Sequence, residues 1–362
     1  MSEKLKVGIL GATGMVGQRF VTLLADHPWF EITTLAASAS SAGKTYEESV
    51  GSRWKMTTPM PECVKGMIIK NVADVEDVAS GVDFVFSAVN MSKDEIRAIE
   101  EEYAKTETPV VSNNSAHRWT PDVPMVIPEI NPEHFEVIAS QKERLGTTRG
   151  FIAVKPNCSI QSYTPALAAW KQFEPTDVIV STYQAISGAG KTFADWPEME
   201  ANIIPFISGE EEKSEQEPMK VFGHIENGRI VKYSGDLRIT SQCIRVPVLN
   251  GHTATVFLNF KKDPSKEELV EALRNFSGKP QELKLPHAPE HFIQYLEEEN
   301  RPQVKLDVDY EGGMGISIGR LRKDSIFDWK FVGLSHNTLR GAAGGAVECA
   351  EMLKALGYIS AK

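Results

Sequence analysis

Cysteine is scarce in this chain, with four among 362 residues: Cys63, Cys158, Cys243 and Cys349. They are widely spaced, with no CxxC pair and no Cys/His cluster, which excludes a zinc framework and a disulfide scaffold and leaves each thiol to be judged alone. Long apolar runs are missing as well. No stretch approaches the roughly eighteen residues of a membrane helix, and the N-terminal MSEKLKVGILG enters a strand pattern without a signal-peptide core, so a cytoplasmic, unprocessed chain is expected. Nor is there an excess of positive charge. With 39 Lys and Arg against 49 Asp and Glu the net charge is −10, which argues against nucleic acid or an anionic membrane as partner. A metal pair is also lacking, since His287 and His291 flank Pro289 and cannot share a helical face.

What is present is long enough for two domains. Up to about residue 156, short apolar runs (Lys6 to Leu10, Glu31 to Ala36, Phe84 to Ala88, Pro109 to Ser112) alternate with helical stretches such as Gly14 to Ala25. That rhythm predicts a Rossmann-type α/β domain with a parallel sheet. From Phe151 the strands lengthen and alternate (Thr176 to Ala185, Ile239 to Val248, Thr253 to Phe260), and the last two read as a hairpin closed by Leu249-Asn250-Gly251-His252. The expectation is a second α+β domain with a mixed, largely antiparallel sheet. The helical periodicity and small residues of Gly341 to Leu356 point to a helix docking back on the first domain. The division expected is therefore 1–156 with 340–362, and 157–339.

Gly8, Gly11, Gly14 and Gly17 recur every third residue where an apolar strand meets a helix, the setting of a phosphate-binding loop. There the backbone N–H groups near Gly11, Thr13, Gly14, Met15 and Val16 and the positive end of the helix dipole would hold a pyrophosphate. An NAD site places a carboxylate on the ribose at the end of the second strand, but here that strand runs into Ala36-Ala37-Ser38-Ala39-Ser40-Ser41-Ala42-Gly43-Lys44. Ser38 and Ser41 can donate to a 2′-phosphate, with Lys44 as a possible charge, so NADP is the expected cofactor.

Lys155-Pro156-Asn157-Cys158-Ser159 reads as a turn between a buried strand and a helical run ending near Phe173. A helix N-terminus favours the thiolate, which singles out Cys158 as a nucleophile; for the other three cysteines an inert packed thiol is the better reading. A thiolate attacking an acyl carbon needs an acid/base group. His252 stands seven residues after Arg245, and the expected hairpin would set an imidazole beside a guanidinium able to grip a carboxylate.

GATGMVG at 11–17, SNNSAHRW at 112–119, PNCS at 156–159, YQAISGAG at 183–190, GEEEK at 209–213, RVPVLNGH at 245–252 and HNTLRGAAGG at 336–345 together resemble the aspartate-semialdehyde dehydrogenase family, in its archaeal and fungal-like branch. The resemblance runs nearly end to end. It implies that Cys158 forms a thioester, that Gln184 helps hold the acyl group, that Arg245 binds the substrate α-carboxylate and that His252 is the acid/base. It further implies a phosphate site at Arg118 and Lys213, a substrate ammonium on Glu210 or Glu211, and a nicotinamide near Ser187, Gly188 and Asn337. Some relatives carry an arginine where this chain has Ser40, which leaves the strictness of NADP preference open.

The activity so implied is NADPH-dependent reduction of L-aspartyl 4-phosphate to L-aspartate 4-semialdehyde with release of inorganic phosphate, by a homodimer or homotetramer. The rivals are a reductase of N-acetylglutamyl phosphate or malonyl-CoA on the same scaffold, and a non-catalytic NADP-binding redox sensor. Glu210 with Lys213 argues against the first, because an N-acetylated substrate has no ammonium and a CoA thioester needs no compact phosphate clamp. The joint presence of Gln184, Arg245 and His252 argues against the second.

Overall fold

The computed structural model describes residues 3–362, which divide into two compact units. The first comprises, of the described residues, 3–156, 224–231 and 343–362, and the second 157–223 and 232–342. The described strands are numbered along the chain: β1 Leu5–Leu10, β2 Phe30–Ala37, β3 Lys70–Asn71, β4 Phe84–Ser87, β5 Val110–Ser112, β6 Ile152–Val154, β7 Pro175–Gln184, β8 His224–Glu226, β9 Arg229–Val231, β10 Arg238–Arg245, β11 His252–Phe260, β12 Ile293–Leu296, β13 Ile316–Lys323 and β14 Trp329–Ser335.

In the first unit six strands form a wholly parallel sheet in the order β3-β2-β1-β4-β5-β6. The order in which strands are added reverses between β1 and β4, and ligands of doubly wound sheets bind outside the strand ends at such a switch point. Its central strands are largely apolar, as expected of a parallel sheet buried on both faces; Val7, Ile9, Phe84 and Phe86 are fully buried. The helix Ala343–Ala355 packs on the helix Met15–Leu24, and its run of small residues permits the close approach. The β8–β9 hairpin, which the sequence division puts in the second domain, groups with the first unit instead: Ile230 N–H donates to Pro121 O at 2.8 Å.

The second unit carries a six-stranded mixed sheet, β10-β7-β11-β14-β13-β12, in which three of the five pairings are antiparallel. The expected hairpin of β10 and β11 does not form. β10 pairs parallel with β7 on one side, and β11 pairs antiparallel with β7 on the other. The segment between them crosses the end of β7 instead of turning tightly, with Val246 N–H on Gln184 O, and Ile186 and Ser187 N–H groups on Val248 and Leu249 O. One face of this sheet is closed by Val178, Val180, Val256 and Leu258, with Trp170 edge-on to Phe260 and Phe331. The segment Ser159–Ser162 lies over β11 and β14, and the helix Glu210–Val221 over β10.

Candidate functional site

Strand register brings the side chains of the second unit together. Gln184 ends β7, Arg245 is its direct partner on β10, and His252 opens β11 one residue before the partner of Tyr183. Residues opposite one another point to the same face, so all three project inward, and all three are at least nine-tenths buried. Cys158 immediately precedes the segment Ser159–Ser162, which sets its Sγ 3.4 Å from His252 Nε2. Gly341 makes this approach possible, because a Cβ there would stand 2.8 Å from Cys158 Cβ and 2.4 Å from Asn337 O.

The other ring nitrogen of His252 decides what the imidazole offers. Nδ1 accepts the Ala185 N–H at 3.0 Å, so the proton of the neutral ring is on Nε2 and is presented to sulfur. Burial, reinforced by the adjacent Arg245 guanidinium, holds the imidazole down to about 3 from its usual 6.5. Arg245 Nη1 donates to Ala185 O at 2.6 Å, and burial lowers its pKa although Cys158 and Glu210 pull the other way. Gly188 leaves room beside both: a Cβ there would lie 3.1 Å from Arg245 Nη1 and 3.2 Å from His252 Cε1. Asn337 donates to Ser187 Oγ at 2.8 Å and accepts Gly251 N–H at 2.8 Å, which ties the 187–188 turn to the start of β11.

Glu210 begins its helix after Gly209 and turns inward. Its carboxylate meets Lys213 Nζ at 2.7 Å, Asn157 Nδ2 at 3.0 and 3.1 Å and Gln184 Nε2 at 3.2 Å. Burial would raise its pKa, but Lys213 and the amide donors outweigh it and the net shift is downward. Glu211 turns instead to β10, where it takes the Cys243 N–H at 3.3 Å. Between the two glutamates left open by the sequence, Glu210 is the one beside Asn157 and Gln184.

The helical run expected from Ser159 to Phe173 is broken. A 3-10 turn Ser159–Ser162 is followed, after the non-helical Tyr163, by the short helix Thr164–Ala169, with Pro165 in its first turn, and by another 3-10 turn, Lys171–Phe173. Cys158 therefore does not sit at the end of a long helix dipole, and the imidazole facing its sulfur comes from the sheet. Cys243 and Cys349 are buried, with burial raising both thiols, Cys349 to about 12. Cys63 lies exposed on the helix Glu62–Lys65 and is not the packed thiol expected.

In the first unit the glycine loop borders a cleft of about 290 Å³ at the switch point, lined by Gly11, Thr13, Gly14 and Ser38 from the β1 and β2 ends and by Ala88 and Val89 from the β4 end. Gly11 has φ +82°, and a Cβ there would collide with Ala88 O at 2.4 Å. No side chain caps the helix Met15–Leu24, so its first-turn N–H groups at Met15 and Val16 are available to an anion. This cradle fits a dinucleotide pyrophosphate, and no carboxylate lines the cleft at the end of β2. Ser41 lies buried behind the cleft, its carbonyl accepting Ser49 Oγ at 3.1 Å, and Lys44 turns back onto Ser40 O at 2.9 Å. Arg118 is buried, donating to Lys155 O at 3.0 Å and Asn113 O at 3.2 Å.

Family models match both units, as "Semialdehyde dehydrogenase, NAD binding domain" over residues 6–138 and "Semialdehyde dehydrogenase, dimerisation domain" over residues 165–340. The chain is 43% identical over 353 residues to the aspartate-semialdehyde dehydrogenase of Methanothermobacter thermautotrophicus, covering 96% of this chain and 99% of the relative. It is 40% identical to that of Aspergillus fumigatus, covering 98% and 99%. The solved structure of the Candida albicans enzyme with NADP superposes at a TM-score of 0.88, with 37% identity over 99% of this chain and all of that one. The chain belongs to the aspartate-semialdehyde dehydrogenase family.

For a member of this family, residue-by-residue reading of the sequence overlooked three side chains. Asn157 holds Glu210 with its amide, while its own backbone N–H is fixed by Glu217 at 2.5 Å and its Oδ1 takes the Ser159 N–H at 2.8 Å. Ser214 contacts Ser159 Oγ at 3.2 Å and accepts Tyr163 Oη through its carbonyl at 2.5 Å. Glu210, Ser214 and Glu217 form one buried stripe at helical spacing. The signal was there, as polar residues at i, i+4 and i+7, but an inward polar stripe looks like an outward one when only hydrophobicity is counted.

Proposed function

We propose that this chain catalyses the NADPH-dependent reductive dephosphorylation of L-aspartyl 4-phosphate to L-aspartate 4-semialdehyde, in the cytoplasm, as a step toward lysine, threonine and methionine. The observation that carries the reading is Cys158 Sγ at 3.4 Å from a buried His252 whose neighbours are Arg245, Gln184 and Glu210, in a chain of this family. A compact set of one carboxylate, one guanidinium and one thiol suits a small amino-acid acyl donor. Glu210 is ionised and placed for an ammonium, which an N-acetylated substrate lacks.

The Cys158 thiolate attacks the acyl carbon and expels phosphate, a step in which the resemblance assigns Arg118 and Lys213 to the leaving group. His252 donates through Nε2–H and stabilises negative charge on sulfur before attack and again when the carbon–sulfur bond breaks. Arg245 binds the α-carboxylate and Glu210 the ammonium, which fixes the acyl carbon over sulfur. Gln184 aids this by holding Glu210 from the end of β7. When bound, NADPH supplies the hydride that takes the thioester to the aldehyde level. The glycine loop and Ser38 would hold its phosphates, with Ser41 buried behind them, and Ser187, Gly188 and Asn337 would border the nicotinamide.

A homo-oligomer joined through the second unit is part of this proposal. The sheet face opposite His252 is only half-covered and carries Ile179, Tyr183, Phe257 and Val332 among polar residues, and the matching family model is described as a dimerisation domain. The deciding assay is phosphate-dependent NADP reduction at 340 nm with L-aspartate 4-semialdehyde beside N-acetylglutamate semialdehyde. Turnover of the first alone is expected; turnover of the second alone, or of neither despite NADP binding, sinks the proposal.

A further inference from the structure

We infer that Arg53, at the end of the short turn Gly51–Arg53, binds the 2′-phosphate of NADP and sets the preference for NADP over NAD. This rests on the cofactor reading above and names the cation it lacks. Ser38 and Ser41 can donate hydrogen bonds but bring no charge, and a phosphate dianion approaching a chain of net charge −10 requires a cation at the point of contact.

Among the described residues, Arg53 is the one charged side chain lining the switch-point cleft, which Ser38 also lines. Lys44, nearer in sequence, does not line it and is folded onto Ser40 O at 2.9 Å. The position of Arg53 is built rather than incidental. Gln18, 1% exposed, donates through one amide nitrogen to Thr13 O at 2.9 Å and to Arg53 O at 3.0 Å, and its Oε1 accepts Lys55 N–H at 2.7 Å. One buried side chain thus clamps the turn that bears Arg53 to the glycine loop. A second clamp lies just upstream, where the buried Tyr46 Oη donates to Ala12 O at 2.9 Å.

The guanidinium itself is lightly held. Its Nη2 donates to Ser49 O, and Ser49 Oγ in turn donates to Ser41 O at 3.1 Å, which places the charge beside the serine loop that follows β2. A guanidinium has five donors in a fork that matches a phosphate, so most of the fork is available to a ligand. In an NAD site a carboxylate hydrogen-bonds the ribose 2′-hydroxyl here, and a guanidinium in its place reverses the preference.

The test uses the full chain at low salt and measures binding without turnover. Adenosine 2′,5′-bisphosphate and AMP are titrated by calorimetry, and NADPH and NADH by cofactor fluorescence, against wild type, Arg53→Ala, Arg53→Lys and Lys44→Ala. Arg53→Ala should weaken the bisphosphate and NADPH by about 10- to 100-fold while AMP and NADH change by less than about twofold. Arg53→Lys should recover part of the loss, and thermal melting should be unchanged because the side chain is exposed. If Arg53→Ala binds the bisphosphate as wild type does, or if Lys44→Ala causes the loss instead, the inference is overturned while the NADP reading stands. A wild-type protein that does not distinguish the bisphosphate from AMP overturns both.

Discussion

At the scale of single residues, the proposed chemistry turns on how one imidazole is held. The Ala185 N–H occupies Nδ1 of His252 and thereby directs Nε2–H at sulfur, so in the proposed reaction the ring acts as a neutral donor. Its depressed pKa is also a statement about stability. Below about pH 6.5 the unfolded chain takes up a proton that the folded chain refuses until about pH 3, so stability is complete above 6.5 and falls as pH drops through that window. Between pH 7 and pH 5 this group alone should remove about 2 kcal/mol. Urea titrations at the two pH values check it: His252→Asn should lose about that much less than wild type, and equal losses would refute the buried neutral state. For the nucleophile the expectation is simpler. Cys158→Ser should abolish turnover and leave NADPH binding within about twofold of wild type, and substantial residual activity would move the nucleophile elsewhere.

At the scale of elements, the sheet places functional groups that sequence distance does not relate. Arg245 and His252 were expected side by side across a tight turn, yet they sit on strands flanking β7 and meet because both strands, one parallel and one antiparallel, bring those residues to the same end of β7. The helix Glu210–Val221 then supplies its polar stripe to the Cys158 loop. Glu217→Ala would leave the buried Asn157 N–H without its acceptor, at a cost of about 1–3 kcal/mol. It should also lower kcat more than it raises KM, since the loop bearing Cys158 shifts while Arg245 stays. A variant with wild-type kcat would show that the stripe is only structural. Gly341→Ala is a second probe of the same loop, because the added methyl would overlap Cys158 Cβ. Overpacking of this kind costs about 1–3 kcal/mol, and a melting temperature and activity equal to wild type would count against the geometry.

At the scale of the whole molecule, the second unit uses the two faces of its mixed sheet differently. One is closed over the core and carries Gln184, Arg245 and His252; the other is half-exposed and carries Ile179, Tyr183 and Phe257. A homo-oligomer covering that face makes Ser181→Arg with Thr255→Arg, a directly paired couple on it, a disruptive change. Sedimentation should show wild type as a dimer or tetramer and the double variant as a smaller species. A monomeric wild type would remove the oligomer from the proposal. No helix among the described residues is long and apolar enough to cross a membrane.

The sequence by itself determined what depends on local rules. The glycine spacing after an apolar strand, the lack of a carboxylate after Ala37 and the small-residue helix at 343–355 are all readable because strand and helix periodicity and backbone sterics act over a few residues. Order along the chain also carried the family, through seven motifs none of which is decisive alone. Only the tertiary structure decided that Glu210 rather than Glu211 faces Asn157, which ring nitrogen of His252 meets sulfur, that β10 and β11 straddle β7, and that Arg53 rather than Lys44 lines the cleft. Those are contacts between residues tens of positions apart, fixed by strand pairing and by buried polar groups that must find partners. No hydrophobic period or turn signal encodes them.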